Sequence, residues 1–165
     1  MKVLILVRHA KSSWADAGLK DIDRPLNERG KKDAPDMAKR LKERGIKVDL
    51  FVSSPARRAR RTARLFAEEF DVKKEDIQLV DDLYLATQMA FKETVNNLKN
   101  DVATVALFSH NPGITEYANS LANVRIDDMP TCGVFAVQAD TDKWKDFDEV
   151  EKKFLFFDYP KNPLF

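Results

Sequence analysis

Six short apolar runs punctuate a chain that is otherwise polar and dense in charge. They cover residues 2–8, 49–53, 76–80, 103–109, 133–139 and 150–157, the last being the least regular. Runs of this length, rich in Val, Leu, Ile and Phe, read as strands buried on both faces of a sheet. Between the first five lie segments with helical patterning, at 27–44, 56–70, 87–99 and 113–122. Strand–helix alternation predicts βαβ units, and hence an α/β fold of three layers, α/β/α, around a mostly parallel sheet. Only the polar stretch 140–148 separates the last two runs. They should therefore pair antiparallel at one edge, making the sheet mixed. No repeat, low-complexity stretch or linker divides the chain, so 1–165 is expected to be a single domain. Pro160 and Pro163 should leave 159–165 an irregular tail.

Local signals refine the helices. Ser54-Pro55 and Asn111-Pro112 each set a good capping residue before a proline, which predicts helix starts there. Gly45 is placed to end the first helix. Pro35 lies inside that helical pattern and predicts a kink or a later start.

Composition narrows the class. A chain of 165 residues with 44% hydrophobic and 33% charged residues suits one globular domain. The net charge of +1 supplies no global field toward nucleic acid or membrane, so any anion site must be local. Cys132 is the only cysteine, which forbids an internal disulfide and suits a reducing compartment. The run Val3–Val7 is too short for a signal-peptide core. No stretch approaches the roughly 18 apolar residues a membrane helix needs. The expectation is a cytoplasmic protein, with no nucleic-acid or membrane partner and a monomer favoured.

Candidate chemistry sits at the strand ends. Only two histidines occur, His9 and His110, and each directly follows an apolar run or its last polar residue. Ligands of open α/β sheets bind at the carboxyl ends of the strands, so the two imidazoles point to one place. The run ending at Val52 would bring Arg57 and Arg58 to the same edge. Around His9 stand Arg8, Lys11 and Ser12, all suited to phosphoryl oxygens, and a neutral imidazole is a competent nucleophile. Beside His110 stand Ser109 and Asn111, with a helix N-terminus to follow. An imidazole there could stabilise charge on a transferring phosphoryl group.

The run RRARR at 57–61 admits three readings: a solvated helix face, a nucleic-acid or targeting patch, or a phosphate clamp. Ala59, Ala63, Phe66 and Phe70 form the buried stripe. Arg57, Arg61 and Arg64 lie broadly opposite, with Glu68 spaced to pair with Arg64. Position in the first turn favours Arg57 or Arg58 as the clamp, and periodicity does not choose between them.

Other chemistries fit poorly. Gln138 stands where a cysteine-phosphatase loop starting at Cys132 needs arginine, and no GxxxxGK loop exists. DIDRP at 21–25 lacks the preceding strand of an aspartyl nucleophile. Two distant histidines and one cysteine make no zinc set. Asp21, Asp23, Asp81 and Asp82 read better as solvated loop than as a metal cluster. No metal or cofactor is expected.

Together these residues resemble the histidine phosphatase superfamily, whose fold is phosphoglycerate-mutase-like, and within it the SixA-like phosphohistidine phosphatases. The resemblance spans essentially the whole chain. The superfamily's strand ending in R-H-G is similar to Arg8-His9-Ala10, followed by Lys11-Ser12 as in the SixA-like group. DRPLNERG at 23–30 resembles that group's next loop, and PTCGVFAV at 130–137 its late strand. S-P-L-x-R-A-x-Q-T-A maps onto 54–63, which puts the clamping arginine on Arg58, with Ala56 and Arg61 in place of Leu and Gln. G-H-N-P-G matches Ser109 to Gly113, with serine for the first glycine.

The resemblance implies a metal-independent phosphatase working through a phosphohistidine on His9. Arg8, Arg58 and His110 would serve catalysis, and Lys11, Ser12 and Asn111 substrate binding. Mutase-like members carry a glutamate general acid where this chain has DDLYLATQ. Asp82 is the nearest carboxylate, although the motif does not place it in the pocket, and Asp23 is the other candidate for a hidden acid. With no long insertion to form a lid, the site should admit phosphohistidine on a protein, with a small phosphate ester as the alternative substrate. A non-enzymatic anion-binding module or a basic-helix nucleic-acid binder is the rival class. Both histidines together with Arg8 tell against it, because binding alone requires no nucleophile.

Overall fold

The computed structural model describes residues 1–163. Six strands form one mixed sheet in the order β3-β2-β4-β1-β5-β6. They are β1 (Lys2–Arg8), β2 (Leu50–Ser53), β3 (Gln78–Leu79), β4 (Thr104–Ser109), β5 (Val134–Ala139) and β6 (Lys152–Asp158). The first four run parallel, and β5 and β6 pair antiparallel beside β1, as the missing helix between them requires. The helices are α1 (Glu28–Glu43), α2 (Arg57–Glu69), α3 (Gln88–Asn96) and α4 (Gly113–Leu121).

Strand alternation builds two cores from one sheet. Leu4, Leu6, Val105, Leu107, Phe135 and Val137 pack with α3 and α4 residues such as Phe91, Val95, Ile114 and Tyr117. Ile5, Val7, Ala106, Phe108, Val134 and Ala136 pack with Ala34, Met37, Leu41, Ala63 and Phe66 from α1 and α2. The layers are therefore helices, sheet, helices.

Several local expectations need correction. Helix α1 runs through Pro35 with Asn27 as its N-cap, whose side chain accepts from the Gly30 N–H. Neither proline expected to open a helix does so: α2 starts at Arg57 after Ala56, and α4 starts at Gly113 after Pro112. The start of α2 thus lies two residues later than expected and that of α4 one residue later. The Arg64–Glu68 pair is not among the ion pairs of the described residues. Beyond β6, Arg40 holds the chain by donating to the carbonyls of Tyr159 and Pro160. Of the tail expected to be irregular, 164–165 lie outside the described residues.

Candidate active site

Parallel register assembles the site. Arg8 pairs with Ser109 and Ser53 with Phe108, so β1, β2 and β4 end level with one another. The next residues, His9, Ser54 and His110, are thereby brought to one edge. The chain holds them with backbone bonds: His9 N–H donates to the Ser109 carbonyl and Ser54 N–H to that of Phe108. Cys132, in the left-handed region at φ 60°, turns its N–H onto the carbonyls of Arg8 and His9. Such strain in a side-chain-bearing residue persists only where the surroundings demand it. The Cys132 thiol is fully buried and its pKa is pushed up by that burial, so it is packing and not a nucleophile.

The two imidazoles lie 5.1 Å apart, centroid to centroid, with 6% and 7% of each residue exposed. Burial is the main reason that His9 falls to about 3, helped by His110, Arg58 and Arg8. Burial and then Arg58 take His110 to about 3 as well. Both rings are therefore neutral at neutral pH. His9 Nδ1 sits 2.8 Å from the Ala10 carbonyl, an acceptor only, so the proton is on Nδ1. Its Nε2 consequently carries the free lone pair.

Arg58 lies in the first turn of α2, buried, while neighbouring Arg57 is exposed. Its Nη1 donates to the Asp21 carbonyl at 2.8 Å and its Nη2 to Asp21 Oδ2 at 3.1 Å. Thr62 locks the turn to the loop that follows β1, donating to the Arg58 carbonyl and accepting the Ala10 N–H. Arg8 spends one donor on the Met129 carbonyl at 2.8 Å. Arg8 Nε, Arg58 Nε and His110 Nδ1 are buried without a partner among the described residues. Three orphaned polar atoms around two neutral imidazoles are costly unless something polar binds there.

Sequence reasoning missed Asp21 and Tyr84. Tyr84 donates to Asp21 Oδ2 at 2.6 Å, and Arg24 Nε donates to Oδ1 at 3.2 Å. The Tyr84 bond, reinforced by Arg58, lowers the Asp21 carboxyl to about 2. The Tyr84 ring stands edge-on to His110 at 5.7 Å. Asp82 instead lines a cavity on the α3 side with Leu50, Glu93 and Val102. The Asp23 carbonyl accepts from Arg57 at 3.5 Å. No local sequence signal marks Asp21 over Asp23; the choice is made by which faces α2.

Of the residues expected to bind substrate, Ser12 and Asn111 have side-chain hydrogen-bond partners among the described residues, and Lys11 does not. Lys11 is exposed, and its backbone lies against Gly30, where a Cβ would meet the Lys11 carbonyl at 2.2 Å. Ser12 Oγ accepts from Arg24 at 3.0 Å. The Asn111 amide donates to Asp128 and the Met129 carbonyl and accepts from Thr115. Ser54, expected as a cap, places its Oγ 2.7 Å from His110 Nε2. Exposed Trp14 stacks on Arg24, and exposed Leu85 follows Tyr84, so side chains at this mouth are apolar and uncovered.

Comparisons with known proteins agree with this geometry. The model of the histidine phosphatase superfamily (branch 1) matches residues 4–85. The chain is 33% identical over 152 residues to an uncharacterized chloroplastic protein of Arabidopsis thaliana, covering 87% of this chain and 69% of that one. It is 33% identical over 84 residues to the 2,3-bisphosphoglycerate-dependent phosphoglycerate mutase of Bartonella henselae, covering 48% of this chain and 38% of the mutase. Of solved structures, a protein assigned as phosphohistidine phosphatase SixA from Agrobacterium tumefaciens superposes with a TM-score of 0.81 at 26% identity. That match covers 96% of this chain and 98% of the other. The protein histidine phosphatase SixA complexed with tungstate shares the fold, at TM-score 0.80 and 20% identity over 96% and 97% of the chains. With its two histidines at adjoining strand ends, the chain belongs to the histidine phosphatase superfamily and is a histidine-nucleophile phosphatase of SixA-like structure.

Proposed function

We propose that this enzyme removes phosphate from phosphohistidine on a protein, through a covalent phosphohistidine on His9. The observation that carries the reading is the bond from His9 Nδ1 to the Ala10 carbonyl, which leaves Nε2 as an unprotonated nucleophile. His9 Nε2 attacks phosphorus, the substrate's P–N bond breaks, and the substrate imidazole, already protonated on its other ring nitrogen, leaves as a neutral ring, while His9 keeps its Nδ1 proton. Water then attacks the phosphoenzyme, releasing inorganic phosphate and regenerating His9. Arg8, Arg58 and His110 hold the equatorial oxygens, using the donors Arg8 and Arg58 have not given to Met129 and Asp21. Two guanidiniums offset the negative charge on the phosphoryl oxygens, a task that a metal cation performs in other phosphoryl-transfer sites. The fold relative bound to tungstate, an oxyanion of phosphate's shape, supports a pocket of this kind.

Leaving-group chemistry favours phosphohistidine over alkyl esters. An alkoxide needs a proton in the transition state, and a positioned acid contributes about 10²–10⁴-fold. Asp21 is ionised and Asp82 faces elsewhere, so neither is a ready acid. Phosphohistidine and aryl phosphates should be cleaved at least about 10²-fold faster, in kcat/KM, than phosphoserine or sugar phosphates. Comparable values for phosphoserine would overturn the assignment of substrate class.

A further inference from the structure

Helix α2 carries five arginines and no acidic residue between Ser54 and Ala67, although only Arg58 reaches the two histidines. Its first turn holds no acidic residue, and its N-cap, Ala56, supplies no side-chain cap. Cations there oppose the positive end of the helix dipole, which costs stability unless something anionic answers them. Helix α1 shows the contrast. Its Arg29, Lys31 and Lys32 are each paired with Asp33, Glu28 and Asp36 within the helix. None of Arg57, Arg60, Arg61 and Arg64 makes an ion pair among the described residues, and Arg60 Nε is buried without a partner.

These side chains enclose two adjoining hollows. One, of about 250 Å³, is lined by Lys31, Arg57 and Arg61 with Pro25 and Leu26. The other, of about 280 Å³, is lined by Arg57, Arg60, Arg61 and Arg64 alone. The face is continuous with the active site through the loop 21–24. Arg57 donates to the Asp23 carbonyl, and Arg58, one residue on, donates to that of Asp21. From Arg57 to Arg64 it extends about 10 Å along the helix. In a chain of net charge +1, four arginines without an ion partner among the described residues thus share one helix face beside the pocket.

We propose that this arginine face docks an acidic segment of the phosphorylated protein whose phosphohistidine enters the site. The inference rests on the phosphoprotein reading above. A protein fits better than a nucleic acid because neither hollow contains an aromatic side chain on which bases could stack. Its contribution belongs to capture of the substrate and not to the chemical step, so it should appear in KM and fade with salt.

The test uses three synthetic peptides, each with one phosphohistidine, flanked by glutamates, alanines or lysines, with p-nitrophenyl phosphate as the reference. The full-length enzyme should show a KM for the glutamate peptide about tenfold below that for the lysine peptide, with similar kcat. The double variant Arg61→Glu/Arg64→Glu should erase that difference and leave p-nitrophenyl phosphate hydrolysis unchanged, which also shows that it is folded. Equal KM values for all three peptides on the unaltered enzyme would overturn the docking inference alone. Hydrolysis of p-nitrophenyl phosphate with no peptide cleaved would overturn the phosphoprotein reading, and docking with it. A labelled single-stranded RNA 20-mer that binds more tightly than the glutamate peptide, and loses binding in the double variant, would reassign the face to nucleic acid.

Discussion

At the scale of single residues, the site depends on which atom of each side chain is left free. His9 and His110 are neutral because burial outweighs every other influence on them. Their imidazole resonances should therefore show no titration midpoint between pH 5 and 8 in the free enzyme, followed by NMR. A midpoint near 6.5 in that window would mean that water reaches the rings. Arg58 and Arg57 differ in burial and in partner, so Arg58→Ala should lose on the order of 10²-fold or more in kcat while Arg57→Ala loses little. Equal losses would put the clamp on the wrong arginine. Asp21 holds Arg58 in place without being a phosphate ligand. Asp21→Asn should lower kcat about tenfold, the scale of one lost charge-assisted bond. Inhibition by inorganic phosphate should not weaken, because a negative charge beside the pocket is removed. Parallel losses in kcat and phosphate affinity would make Asp21 part of the binding site itself. The histidines were readable from sequence because both are rare and both end strands. Asp21 was not, because its partners Arg58 and Tyr84 stand 37 and 63 positions away.

At the scale of elements, the apolar runs foretold all six strands: burial on both faces writes itself as continuous Val, Leu, Ile and Phe in β1, β4 and β5, while β3 shrinks to the exposed pair Gln78–Leu79. Helix starts were legible only in part. A serine before proline signals a cap when nothing else competes for its hydroxyl, and here His110 competes for that of Ser54. Asn111 is drawn likewise to Asp128, Met129 and Thr115. Close approach of elements leaves a clearer mark. Gly113 opens α4 where a Cβ would lie 2.2 Å from the Ala86 carbonyl, in the segment that follows Tyr84. Gly113→Ala should push that segment outward, costing about 1–3 kcal/mol of stability. Activity should fall as Tyr84 leaves Asp21 and His110. Urea unfolding midpoints and kcat measured together would check this, and a variant unchanged in both would show that the loop has slack.

At the scale of the molecule, one sheet edge collects ends that are far apart in sequence, so the site and the fold share their electrostatics. The imidazoles bind protons more readily unfolded, with pKa near 6.5, than folded, near 3. The unfolded state therefore carries more protons between those values, and stability must fall as pH drops through that window. Asp21, held near 2 against 3.8 unfolded, adds a further loss below pH 4. Urea midpoints from pH 7 to 4 should fall for the unaltered protein and fall less steeply for His9→Gln/His110→Gln. Matching slopes would remove the histidines from the acid response. The proposed reaction opens with one covalent event at this edge, the transfer of phosphate to His9 Nε2. Rapid quenching during turnover of ³²P-labelled phosphohistidine peptide should trap acid-labile, base-stable label on His9, and His9→Ala should trap none and turn over nothing. Acid-stable label, or label retained in His9→Ala, would contradict the account.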